Sequence, residues 1–460
     1  MQQDSDSENA SDYCPISLTP LGLDALYSVC KKVYPDQQNP LQVTAKTKYW
    51  LGGPDPLDYI SMYSNPGDAD QGIPPHWHYV SFGLSDLHGD GRVHESSGLD
   101  TPSGFGFELT FRLQKCPDET MPPTWPAPVM QALAKYVFKS DNALVAGDHV
   151  SWHHSLDNSE SRLQHILLME DPQLGTVNTP FGPVNFVQIV GICTEELQVV
   201  QQWNGPGIIN LMKSVRGIGG PWLVTNMRRG ETILEIDPHL QEAVDEGINT
   251  DGSNLTCVSA RCSWIDTDVN IHRLESGDGK NIVHPKMTEQ ECNEIKSTLK
   301  KGLLNTNPVL PSIKSIEDEE EFQKESYDSN ASGEAVVDTG EMLPIRSFET
   351  IHIQLNSEAG LMLPLALKGR LRHGRHFTFK SVLGDVAITL VTPSVSGTVV
   401  SYECPYTSRG PWLQVLIEED FLETMLEDLE ILNSLKSISL PRTFNWPNKK
   451  LMITITPEFF

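Results

Sequence analysis

FGFELTFRLQKCPDETMPPTWPAPVMQALAKYVF, residues 105–138, holds a strand and a helix in succession. In its opening run Phe105, Phe107, Leu109, Phe111 and Leu113 alternate with Gly106, Glu108, Thr110 and Arg112. Successive side chains of a strand point to opposite faces, so the apolar residues share one face and the spacing predicts a half-buried strand. A proline-rich turn follows. Over 128–138 apolar residues recur at helical spacing, and Pro128 sits near the first turn, where a missing N–H is no loss. Strand and helix adjoining in this way point to a mixed, α+β architecture.

Working outward, residues 21–33 (LGLDALYSVCKKV) have helical spacing and Pro35 marks their end. His78, Val80 and Phe82 alternate with Tyr79 and Ser81. Residues 185–194 are apolar and β-rich and predict a central strand, 195–203 a helix, and 222–227 and 258–265 further strands. A first mixed domain is therefore expected over 20–268, after a short disordered leader, 1–19. Few apolar residues occur over 269–285, which reads as linker. Residues 288–301 predict a helix, opened by the capping box of Thr288 and Glu291 and closed by two lysines and Gly302. Between 315 and 341, acidic residues crowd together with Lys324 as their one basic neighbour, and large apolar residues are sparse. Such a segment cannot bury enough surface to offset its ordering entropy, so a disordered acidic insert is expected over 309–344. Strands are predicted over 350–355, on either side of an HGRH turn at 360–371 and 376–382, and over 387–391, 398–402, 412–417 and 451–456. Phe421, Leu422, Met425, Leu426, Leu429 and Leu432 make one stripe of a helix over 419–435. A second mixed domain thus spans 286–460. The tetrapeptide GPWL at 220–223 and again at 410–413 is weak support for a duplicated fold.

A chain of 460 residues is too long for one ordinary core and fits two domains. Its 61 acidic and 34 basic residues leave a net charge of −27. That field repels nucleic acid and anionic membrane and favours basic partners. No run reaches the ~18 apolar residues of a membrane span, and the N-terminus lacks the basic and apolar regions of a secretion signal. The eight cysteines are scattered without a CxxC pair, which suits reduced thiols. His76 and His78 would face one side of a strand, as metal ligands must, but no third ligand lies at a fitting spacing. There is no G-x-S-x-G elbow, and the Gly104-Phe105-Gly106 run opens a strand rather than a helix. The pattern predicts no catalytic residue, no metal and no cofactor.

Seven segments go further: YPDQQNPLQVTAKTKYWLGGPDPLDYISMY (34–63), PPHWHYVSFGLSDLHGDGRVHE (74–95), SGFGFELTFRL (103–113), PPTWPAPVMQALAKYVF (122–138), QIVGICTEEL (188–197), GRLRHGRHFTFKS (369–381) and GPWLQVLIEEDFLETMLEDLE (410–430). In order and across both domains, these strongly resemble the Suppressor of fused family of Hedgehog signalling. The resemblance implies a negative regulator that catalyses nothing. It would sequester Gli or Cubitus interruptus transcription factors in cytoplasm and nucleus by clamping a Ser-Tyr-Gly-His-Leu strand between its domains. It also implies kinesin-like and kinase components of the pathway as partners. Carried over residue by residue, Tyr136, Asp148 and Val258 would form the first-domain wall, and Glu358, Met362 and His373 the second. The two carboxylates would receive the peptide histidine. Met362 stands where the family commonly has leucine, and keeps its volume and apolarity. From pattern alone these residues have plainer readings: helix core for Tyr136, a turn cap for Asp148, a loop carboxylate for Glu358 and a solvated basic turn for His373. An alternative function is a scaffold that binds several partners through the acidic insert.

Overall fold

The computed structural model describes residues 19–95, 100–267, 345–384, 386–433 and 439–457. The expected leader, linker, capped helix over 288–301 and acidic insert lie outside the described residues, apart from the leader's last residue.

The first domain runs α1 (Leu21–Val33), β1 (Leu41–Thr44), β2 (Tyr59–Asn65), β3 (His76–Phe82), β4 (Phe107–Gln114), α2 (Pro126–Ser140), β5 (His149–Val150), β6 (His165–Glu170), β7 (Thr176–Thr179), β8 (Gly182–Ile192), α3 (Thr194–Gln202), α4 (Gly205–Ser214), α5 (Ile233–Ile236) and α6 (Leu240–Asp251). Its sheet has the order β1-β2-β3-β4-β8-β6-β5, with β7 folded back on β8. Only β4 and β8 pair in parallel; the other neighbours are antiparallel. The central strand expected over 185–194 is β8.

The strand expected at 105–113 forms as β4, but it is not half-buried: every residue from Phe107 to Leu113 is buried. Its apolar face, with Leu109 and Phe111, packs with Met130 and Leu133 of α2. Its polar face lies beneath α1 and β7, beside Val80 and Phe82. There Arg112 donates through Nη2 to both carboxylate oxygens of Asp171 at 3.0 Å and through Nε to Gln188 at 2.9 Å. Glu108 accepts from Ser81, Ser85 and the amide of Gly83. Polar residues thus line a second interior face because they satisfy one another. The strand expected at 222–227 is replaced by a 3-10 turn, Gly220–Trp222. Leu223 follows in the left-handed region at φ 47°, which no strand accommodates, and only Thr225 bridges to β4.

The second domain comprises β9 (Cys257–Ala260), β10 (Cys262–Asp266), β11 (Ile345–Phe348), β12 (Ile351–Asn356), α7 (Ser357–Leu365), β13 (Phe377–Ser381), β14 (Ala387–Val391), β15 (Tyr406–Arg409), β16 (Trp412–Leu416), α8 (Glu419–Leu429), β17 (Arg442–Trp446) and β18 (Leu451–Thr456). Two sheets form, β10-β12-β18-β17 and β11-β15-β16-β14-β13-β9. One core joins them, drawing Ile353 and Ile455 from the first, Phe379 and Val415 from the second, Leu363 from α7 and Met425 from α8. Each large apolar side chain so buried contributes ~1.5–3 kcal/mol before ordering costs.

Three expectations need correcting here. The strand read over 258–265 is two strands broken at Arg261. β9 pairs in parallel with β13 and β10 antiparallel with β12, so both belong to the second domain's sheets. The strand read over 360–371 is α7, which continues into a π-helical turn, Ala366–Arg370, and a 3-10 turn, Leu371–His373. Its run AGLMLPLAL is apolar on all sides because it is packed on nearly all sides, so no period shows. The strand read over 398–402 does not form; the stretch is irregular and leads into a turn closed by hydrogen bonds between the backbones of Ser401 and Cys404. The helix expected over 419–435 is α8 as far as Leu429, followed by a 3-10 turn, Glu430–Asn433. The two GPWL copies occupy unlike places, a turn after α4 and the start of β16, and the sheets of the two domains differ in strand order.

Candidate functional site

Two sheet edges carry the residues singled out above. The first edge is β5. Helix α2 ends at Asp141, which turns into the left-handed region at φ 57°. Tyr136, one turn earlier, rests its ring on the first-domain core and directs its hydroxyl outward, where Asn142 Nδ2 lies at 3.5 Å. The loop to β5 is pinned at its end: the amide of Gly147 donates to Leu168 O at 2.7 Å, and that of Leu168 donates to Asp148 O at 2.8 Å. Gly147 has φ 96° and touches the turn that opens α4 so closely that a Cβ on Gly205 would collide with its carbonyl. Asp148, only 8% exposed, accepts from the Val145 amide at 3.0 Å. Burial pushes its carboxyl above the usual range, against that hydrogen bond. Among the described residues no cation forms an ion pair with it. Among the described residues the sheet has no further strand beyond β5.

The second edge is β9. Among the described residues it pairs only with β13, Val258 standing opposite Phe379, and its other side has no strand partner. Val258 is half-buried against the second core, as is Met362. Glu358 lies exposed in the first turn of α7, one turn before Met362, so the two share a helix face. Helix α7 packs against β9. His373 closes the 3-10 turn and lies against Gly252, between α6 and β9; its Nε2 is buried without a partner. The structure therefore gathers Val258, Glu358, Met362 and His373 around one edge, and Tyr136 and Asp148 at the other. Among the described residues no hydrogen bond or ion pair joins the two sets.

The domains meet at a small seam that the sequence reading missed. The Ser253 amide donates to Gly369 O at 2.6 Å, and Arg370 Nη1 donates to Ser253 O at 2.8 Å. Leu365 of α7 packs on the first-domain cluster of Val199, Ile208 and Val244. Arg370 sits in a run that reads as a basic surface turn, yet it is 3% exposed. Nothing in the local pattern distinguishes it from its exposed neighbours.

His76 and His78 face one side of β3, as expected, but both rings are already engaged. His76 Nδ1 meets Pro74 O and its Nε2 accepts from Arg112, each at 2.8 Å. His78 meets the Tyr34 hydroxyl at 2.8 Å and Asp171 at 3.1 Å. Burial and then Arg112 lower the two imidazoles to about 3 and about 4. Among the described residues no three His, Cys, Asp or Glu side chains are placed to hold a metal ion. No helix there is long and apolar enough to cross a membrane. A cleft of about 790 Å³, lined by Asn39, Leu41, Met62, Trp77, Lys115 and Pro122, lies outside these two groups.

Two family models match the chain. One, described as Suppressor of fused protein, covers residues 53–230. The other, described as Suppressor of Fused Gli/Ci N terminal binding domain, covers 242–455 and so takes in β9 and β10 with the rest of the second domain. The Suppressor of fused homologs of mouse and human are each 54% identical over 448 residues, spanning 95% of this chain and 92% of theirs. The crystal structure of Drosophila Suppressor of Fused superposes with a TM-score of 0.72 at 38% identity, covering 96% of this chain and 98% of that one. Likeness at this level over both domains, in sequence and in fold, makes the chain a member of the Suppressor of fused family.

Proposed function

We propose that the protein is a negative regulator of Hedgehog signalling. It holds Gli or Cubitus interruptus transcription factors by taking one of their Ser-Tyr-Gly-His-Leu segments as an added strand between β5 and β9. The observation that carries this reading is the pair of sheet edges that have no further strand among the described residues, each with residues that the family resemblance singles out. The matching of the second domain to a family described as Gli/Ci binding supports the choice of partner. An edge strand offers unpaired N–H and C=O groups, so an extended peptide gains backbone hydrogen bonds, while side-chain pockets select its sequence. Tyr136, Val258 and Met362 supply apolar walls. Asp148 and Glu358 supply carboxylates for the peptide histidine. The buried carboxyl of Asp148 has no cationic partner among the described residues, so an imidazolium brought beside it would favour its charged form. His373 would complete the second wall. Sequestration of this kind acts in cytoplasm and nucleus and represses transcription without chemistry. Kinesin-like and kinase components of the pathway are further partners on this reading, which rests on family resemblance.

A fluorescent peptide containing Ser-Tyr-Gly-His-Leu, followed by anisotropy, tests it. Asp148→Arg should weaken saturable binding by more than about 2 kcal/mol, as for truncation of a buried charged contact. Equal binding by wild type and variant would move the site, and no binding by wild type would remove the function.

A further inference from the structure

The basic run GRLRHGRH, residues 369–376, carries charge beside the seam that is not fully balanced among the described residues. Arg372 is neutralised by Glu423 of α8, with Nε donating to Oε1 at 3.0 Å. Arg370 and Arg375 have no such partner among the described residues. Arg370 is 3% exposed and donates only to backbone carbonyls, Nε to His376 O at 3.1 Å and Nη1 to Ser253 O at 2.8 Å. Arg375 reaches the same Ser253 carbonyl, at 3.5 Å. Burial, and then Arg375, lower the Arg370 guanidinium to about 10. The buried Nε2 of His373 is also unpartnered. A buried cation beside a second cation and an unpartnered ring nitrogen is costly unless an anion completes the group.

The position narrows which anion. His376 immediately precedes β13, and Ser253 lies just before β9. The two strands run in parallel, with Thr378 opposite Cys257, so the cluster sits where both begin. We propose that Arg370, Arg375 and His373 form an anion subsite beside the start of β9, which takes a phosphate monoester carried on the peptide that adds to that edge. This rests on the strand-binding function proposed above and adds a regulatory input to it. Phosphate offers more oxygens than a carboxylate to two guanidiniums and a ring nitrogen. A strand antiparallel to β9 would present its C-terminal flank here, and a parallel one its N-terminal flank. The net charge of −27 disfavours phosphate at long range, so a gain confined to one flank points to a local cationic site.

Full-length protein would be titrated with three fluorescent Ser-Tyr-Gly-His-Leu peptides: unmodified, with phosphoserine just before the motif, and with phosphoserine just after it. One phosphopeptide should bind about tenfold more tightly than the unmodified peptide, with the gain shrinking as salt rises. In Arg375→Gln the ratio between those two affinities should fall towards one. If all three peptides bind equally, or phosphate weakens binding at both flanks, the anion subsite is wrong while strand binding stands. If no peptide binds, strand binding fails, and inorganic phosphate decides the subsite alone. Compared with sodium chloride at equal ionic strength, phosphate should raise Tm in wild type and not in Arg375→Gln. An equal rise in both proteins, or none in either, overturns the proposal. So does a rise that appears only after the acids of 317–321 are replaced by amides, since that would give the subsite to the chain's own acidic run.

Discussion

Arg112 is buried among four partners from three separate stretches of chain: His76, Asp171 with Gln173, and Gln188. Replacing it by leucine would leave the Asp171 carboxylate buried and uncompensated. Arg112→Leu should therefore cost about 3–5 kcal/mol in urea unfolding. The same group sets an acid limit. The unfolded histidine value is 6.5, and the folded values of His76 and His78 are about 3 and about 4. As pH falls the unfolded chain binds protons first, so stability contributed by these rings is full above about pH 6.5 and drains away below it. For Asp171 burial favours the neutral form, but His78 and Arg112 prevail and hold its carboxyl well below the usual range. Its contribution is present above the ordinary aspartate value and is lost at still lower pH. The urea midpoint should thus fall steadily from pH 7 to pH 4, and a flat profile over that interval would refute this assignment. None of these partnerships is legible locally. A histidine pair at alternate positions looks the same whether it awaits a metal or meets an arginine from the next strand, and Arg370 looks like a surface residue because its acceptor, Ser253, is far away in sequence.

At the scale of elements, what could be read was what has a period. The strand at β4, the helix at α2 and the closing strand at β18 were legible because one face of each differs from the other. Helix α7 was not, because residues packed on several sides carry no alternation, and β9 and β10 merged into one expected strand because nothing local marks the change of sheet at Arg261. The candidate site depends on such joints. The loop that presents Asp148 is held where Gly147 and Gly205 touch backbone to backbone. Gly205→Ala should cost about 1–3 kcal/mol by overpacking and should weaken peptide binding as well, because Asp148 must shift with its neighbour. A thermal melt paired with the anisotropy assay separates the two effects. Loss of stability with unchanged affinity would mean that the loop does not set the site.

For the whole molecule, two domains follow from length alone, but their boundary does not. Pairing assigns residues 257–266 to the second domain through partners some ninety residues and more further on, a distance at which sequence pattern is silent. The two edges that carry the candidate residues lie on different domains, whose described hydrogen-bonded seam is limited to the neighbourhood of Ser253, Asn254, Gly369 and Arg370. Domains joined through a small seam are expected to move relative to each other. A strand that pairs with both edges would select the arrangement in which they face each other. Small-angle scattering should accordingly register a smaller radius of gyration on adding the peptide, and an unchanged radius would count against a shared strand.

The split of β9 and β10 from their partners also has a consequence in time. On the ribosome the first domain is complete when these strands emerge, but Asp266 pairs with Ile351, and Val258 with Phe379. At ~5–20 residues per second the nascent chain carries both strands for roughly four seconds or longer before anything can pair with them. During that interval β9 has two open sides rather than one, and the newborn protein is at its most adhesive while its first domain is already folded.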